Sequence, residues 1–285
     1  MEEITPSDLS RIFKELYEND RNFRERVDAI RSEIFDPDRE PSSDDVLRNF
    51  NKLAVFLGIP PYKGKEVVVP KMVFKLDLER PKLLEEDSSI IAKRLPIIAQ
   101  PKVDIEIGNR LSRIYVKLFK RAYDFSGEGL LAEITLVFEG ERDPRMGIYN
   151  DLWRLIAWGR VEDIETFFLI YDEDSLTPRE AIFPPLYLKF PYEKHFRYIP
   201  PSFSSGLSYK LTAHSMAKVR VKEKPVIYVN TWNHALSVFD TNLQLEKVFF
   251  KPAELELVNG RRLDAENDFS MLTYEDEIAL LEEGE

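Results

Sequence analysis

The sequence predicts an α+β protein, a helical N-terminal region followed by a mixed, largely antiparallel sheet domain. Three observations predict it. Apolar residues in the first sixty positions recur at helical spacing. From Glu66 the period changes to two and β-branched residues dominate. Gly58, followed by Pro60 and Pro61, marks the change between them. The chain divides accordingly into a helical region over 1–60, a sheet domain over 61–270 and an acidic C-terminal segment over 271–285.

The elements follow in order. Ser7 is the expected N-cap of a helix whose stripe is Leu9, Ile12, Phe13, Leu16 and Tyr17. Asn19 or Asp20 caps a second, carrying Phe23, Val27, Ile30 and Ile34. The polar stretch Asp36 to Ser43 breaks the pattern, and a third helix runs from Ser43 or Asp44 to Gly58. Strands are expected over Val67 to Leu76, Pro96 to Ile107, Arg113 to Tyr123, Leu130 to Glu139 and Ile164 to Tyr171. Ser126-Gly127-Glu128-Gly129 supplies a hairpin turn between the third and fourth of these. A helix is expected over Met146 to Gly159, where Leu152, Leu155 and Ile156 share a face. Further strands are expected at Leu207 to Thr212, Ala217 to Lys222, Pro225 to Val229 and Leu245 to Phe250.

Composition excludes several classes. Hydrophobic residues are 44% and aromatics 12%, enough for a packed core. Apolar runs such as Glu165 to Tyr171 are far shorter than the ~20 residues a membrane span needs, so no membrane association is expected. The opening Met-Glu-Glu-Ile lacks the basic and apolar regions of a secretory signal, and cytoplasmic residence is the expectation. Without cysteine there is no disulfide framework, thiolate metal site or cysteine nucleophile. Charged residues at 32% with only two glutamines, Gln100 and Gln244, fit a thermophilic source. The three histidines, His195, His214 and His234, have no partner at ligand spacing, and no phosphate-binding glycine loop or nucleophile elbow is present.

The formal net charge is −11, from 40 basic and 51 acidic residues, yet two segments are locally basic. Alternation along a strand puts Arg113, Tyr115, Lys117, Phe119, Arg121 and Tyr123 on one face, with Ile114, Val116 and Leu118 opposite. A face of alternating cations and rings pairs with phosphates and stacks bases. A second strand would align Lys218, Arg220, Lys222 and Lys224 opposite Val219 and Val221. The stretch Phe183 to Phe203, rich in rings, is either a stacking platform or a loop anchored to the core. Lastly, the apolar run Val226 to Val229 leads into Asn230-Thr231-Trp232-Asn233-His234, followed by Asp240 and Asn242. Asn230 and His234 could hydrogen-bond a ligand there and Trp232 could stack on one; the alternative is a capped turn with Trp232 buried.

Carboxylates are the remaining source of catalysis. Asp124 follows the first basic strand and Glu133 lies within the next, where oxygen ligands could hold Mg²⁺. Asp124, then Glu133-Ile134-Thr135, then a helix with Asp151-Leu152-Trp153-Arg154-Leu155 and an apolar strand, resembles the PD-(D/E)xK nuclease-like core over about residues 101–172. The resemblance implies metal binding by Asp124 and Glu133, with a lysine assisting the attacking water. Thr135 stands where that lysine belongs, and Lys117 on the neighbouring strand is the candidate for a migrated one.

Three functional readings result. The first is binding or processing of DNA or RNA, on a nuclease-like core with a degenerate or migrated site. The second is a non-enzymatic interaction or scaffold protein that recruits a protein partner through the acidic C-terminal segment. The third is a small-molecule enzyme using Asn230 to His234. They differ in what they require of the surface: exposed and contiguous basic faces, an exposed apolar patch, or a closed polar pocket around His234.

Overall fold

A computed structural model describes residues 5–35, 43–63, 82–83, 92–120, 129–143, 146–172, 174–183 and 217–271. The strands expected at Val67 to Leu76 and Leu207 to Thr212, the ring-rich stretch, Arg121, Asp124 and the acidic C-terminal segment lie outside these. The architecture is α+β, with helices first and sheets after. No helix among the described residues is long and apolar enough to cross a membrane.

Two compact units emerge. The first draws on the described parts of 1–73, 142–161 and 269–273. It contains α1 (Pro6–Asn19), α2 (Arg21–Phe35), α3 (Ser43–Phe56) and α5 (Ile148–Trp158). Thr5, rather than Ser7, caps α1, its hydroxyl accepting from the Asp8 N–H at 3.2 Å. Asp20 caps α2, accepting from the N–H groups of Asn22 and Phe23. After α3, Gly58 takes φ +76°, which a side chain would disfavour, and Ile59 bonds back to Ala54. The apolar stripes meet in one core: Leu9 and Phe13, Phe23 and Val27, Phe50 and Leu53, with Leu152, Trp153 and Ile156 of α5. Helical spacing thus identified α5, while its grouping with the N-terminal helices is a tertiary fact.

The second unit holds two sheets. Its elements are β1 (Lys82–Leu83), β2 (Ile97–Pro101), α4 (Lys102–Glu106), β3 (Leu111–Lys120), β4 (Leu130–Phe138), β5 (Asp163–Tyr171), β6 (Pro178–Phe183), β7 (Ala217–Arg220), β8 (Val226–Val229), β9 (Leu236–Ser237), β10 (Lys247–Phe250), β11 (Glu256–Asn259) and α6 (Arg262–Phe269). The larger sheet runs β1-β3-β4-β5-β6-β7, and β11 joins β3 in parallel. The smaller runs β10-β2-β8-β9. Strands β3 and β4 form the expected antiparallel pair, with Lys117 opposite Glu133. The strand expected over Pro96 to Ile107 is half strand and half helix. Pro101 has no N–H for the ladder, and the chain turns into α4 directly after it.

The core lies between the sheets. Ile114, Val116 and Leu118, the face expected to be apolar, join Ile134, Leu136, Phe138, Phe167 and Leu169 from the large sheet. Ile98, Ile227, Val229 and Phe250 come from the small one.

Candidate nucleic-acid interface

The two basic segments have different surroundings. On β3, the outer face is covered by the chain's own α6, while β11 pairs alongside β3 in the same sheet. Glu256 takes Arg113 at 2.7 Å, and Asn259 accepts from the Lys117 ammonium at 3.2 Å. The Tyr115 hydroxyl donates to Asp268 at 2.5 Å, and the Arg261 guanidinium lies 5.4 Å from the Phe119 ring centre. Burial, then the bond to Asp268, pushes the Tyr115 phenol above its ordinary range. Gly260 joins β11 to α6, and a Cβ there would stand 3.0 Å from the Tyr115 ring, so any larger residue would require the ring to give by a few tenths of an ångström. Tyr115 is 0% and Phe119 3% exposed. Neither ring can stack on a base, which corrects the expectation of an open face of cations and rings. Alternation assigned the face correctly. It could not foresee a later element lying on that face.

The nuclease-like residues share this cover. Glu133 is 5% exposed and accepts from the Arg262 N–H at 2.8 Å and from Arg261 at 3.3 Å. It thus holds the start of α6, where a carboxylate complements the helix dipole. Lys117 faces the same side of the sheet, but its ammonium is directed to Asn259. Thr135 is wholly buried and shares a hydrogen bond with Thr166 at 2.8 Å. Among the described residues no group of three or more His, Asp or Glu side chains is arranged to hold a metal ion.

The chain matches no family model, curated protein or solved structure.

The Asn230 to His234 segment is enclosed. His234 is 0% exposed, stacks on Phe138 with ring centres 3.8 Å apart, and sits between two carboxylates. Nδ1 is 2.7 Å from Asp163, and Nε2 is 3.3 Å from Asp104. Gln100 and Asn109 donate to Asp104 at 2.6 and 2.9 Å. Burial alone would lower the imidazole's pKa; the two carboxylates outweigh it and raise it to about 9. His234 also has φ +53°, uncommon for a residue with a side chain. Asn230 spends its amide on the same loop, donating to Phe239 O and accepting from the N–H and hydroxyl of Thr241. Trp232 is half-buried. The arrangement clamps the loop to the core and leaves His234 no contact with solvent. The sequence marked this segment as unusual, but Asp104 and Asp163 lie 130 and 71 positions from His234, and no spacing rule links them.

The second basic segment is open. Strand β7 ends at Arg220, and the Val221 N–H extends its pairing to Arg179 O. Residues 221–225 then carry the chain from the edge of the large sheet to β8 of the small one, so they cross at the rim. Because the strand ends at 220, Lys222 and Lys224 stand on this crossing rather than on a strand face. Parallel β2 and β8 align Ile97 with Val226. Their approaches therefore meet, and the Lys224 ammonium donates to the Lys93 carbonyl at 3.0 Å. Lys93, Arg220, Lys222 and Lys224 are exposed and form no ion pair among the described residues, Arg220 lying opposite Glu180 in the β6–β7 ladder. Partial burial lowers the pKa of Lys224. Glu223 is the acid within the crossing. Lys93 was missed by sequence reading because only the β2–β8 pairing brings it here.

Proposed function

We propose that the protein binds nucleic acid, or a polyanion of the same phosphate chemistry, at the rim cluster of Lys93, Arg220, Lys222 and Lys224. One observation carries the reading. In a chain of net charge −11, these cations are exposed at one place without an ion pair among the described residues, whereas those of β3 are answered by the protein itself. Unneutralised cations on a crossing between sheets suit phosphate contact, which depends on charge and reach more than on shape. The reading concerns binding. Glu133 is committed to the start of α6, so a hydrolytic step at that residue has no support.

The test is anisotropy of labelled single- and double-stranded DNA and RNA at two salt concentrations. With at most four phosphate contacts, log affinity against log salt should have a slope no steeper than about −4 on a duplex. Lys93→Ala, Arg220→Ala and Lys222→Ala together should flatten that slope by about 3, while Arg113→Ala leaves it unchanged. No binding at low salt, or loss with Arg113→Ala instead, would sink the proposal.

A further inference from the structure

Among the described residues, strand β10 is an edge of the small sheet. Lys102 N–H bonds to Glu246 O at 2.8 Å, and Lys247 lies opposite Pro101, which has no N–H. In an antiparallel ladder hydrogen-bonded pairs alternate, so Glu246, Val248 and Phe250 bond toward β2. The N–H and C=O groups of Lys247 and Phe249 point away from it. They have no backbone partner among the described residues. Phe250 enters the core, while Phe249 on the opposite face is 52% exposed. Two more exposed apolar side chains stand nearby, Phe239 at 45% and Leu243 at 83%. Their loop is tied to this strand by Lys247, whose ammonium reaches Asp240 at 2.8 Å and Asn242 O at 2.7 Å. An unpaired edge beside exposed rings is a template for another strand.

We propose that this edge docks a second copy of the chain, with the two β10 strands antiparallel about a two-fold axis at Val248. Only outward-facing residues can exchange backbone bonds, which leaves few two-fold registers. Placing Phe249 against Phe249 would set Lys247 opposite Lys251 of the second copy. It would also need the Lys251 N–H, which already donates to Glu254 at 3.2 Å. Placing Lys247 against Lys247 would pair Phe249 with Leu245 of the second copy, whose N–H already donates to Asn242 O at 2.9 Å. The third register pairs Lys247 with Phe249 of the second copy, twice by symmetry, for four backbone bonds. There the Lys247 side chain, nearly buried against Asp240, brings no open charge to the contact. Lys251 of the second copy comes opposite Leu245, next along the chain from exposed Glu246. The N–H groups already spent at Leu245 and Lys251 therefore select a self-complementary register, as an isologous interface requires. The contact is independent of the rim cluster.

The association is weak, because two short strands bury less than the roughly 1,200 Å² of a standard interface. Copies of charge −11 also repel one another. Sedimentation equilibrium of the whole chain, from about 10 μM to 1 mM, should show a reversible dimer with Kd inside that range. It should tighten as salt screens the repulsion, opposite in direction to polyanion binding. Phe249→Pro removes the outward N–H together with the ring, and Phe249→Lys keeps that N–H but replaces the ring. Each should weaken the dimer by about tenfold or more, a shift of about 1.4 kcal/mol in association. Phe56→Lys, at another exposed ring, should change nothing. If Phe249→Pro does not fold, Phe249→Lys and Leu243→Lys carry the test. A chain monomeric up to about 1 mM, or a dimer indifferent to the position 249 and 243 variants, overturns the proposal.

Discussion

Strand β3 and the crossing from β7 to β8 read alike as sequence, each a run of lysine and arginine set among apolar residues, yet they differ in what faces them. The β3 cations meet Glu256 and Asn259. Those of the crossing, Lys222 and Lys224, are exposed and form no ion pair among the described residues. The same composition serves structure in one place and is available for binding in the other. The deciding variable is cover. A strand face in the middle of a sheet offers area that another element can bury, and α6 does so, with β11 paired beside it. A five-residue crossing at a rim offers none. Charge patterning therefore identifies cationic segments, and topology identifies which of them remain open.

Changes to enclosed charge should have the largest effects. His234 has an ordinary pKa of 6.5 and a folded value of about 9. Its contribution to stability is therefore complete below pH 6.5 and disappears as pH rises through 9. One pH unit corresponds to about 1.4 kcal/mol, which makes the loss on the order of 3 kcal/mol. Urea unfolding at pH 6, 8 and 9.5 should record that decline, and His234→Gln should flatten it. A stability independent of pH across this window would show that the imidazole is neutral in the folded state.

Glu133→Ala should come next. It strips the Arg262 N–H and the Arg261 guanidinium of their acceptor at a site 5% exposed, for a loss of about 1–3 kcal/mol in urea. Tyr115→Phe, which gives up the bond to exposed Asp268 and the one accepted from Arg113, should cost about 0.5–1.5 kcal/mol. Lys222→Ala on the rim should leave stability within about 0.5 kcal/mol while lowering polyanion affinity. A Lys222→Ala protein as unstable as Glu133→Ala would break the comparison, since both basic segments would then be structural.

Much of the fold was legible in the sequence. Phe13, Phe23 and Phe50 recur at helical spacing, and Ile114, Val116 and Leu118 alternate, because those periods are set by local backbone geometry. The antiparallel pairing of β3 with β4 follows from two alternating runs close in sequence. The candidate site was half legible. Arg220 and Lys222 stand out as charges, while Lys93 does not, because its membership depends on a parallel pairing between residues 97 and 226.

By itself the sequence determined the helical start, the β-sheet remainder, the acidic net charge and the position of each basic run. Each of these is set by neighbours a few residues apart, or by composition. Tertiary structure alone decided that Tyr115 and Phe119 are interior, that Asp104 and Asp163 enclose His234, and that the cations at 93 and 220–224 share one rim. The physical reason is common to all three. Burial and electrostatic partnership depend on distance in space, and in this chain those distances are set by strand order and by one late helix laid over an early strand.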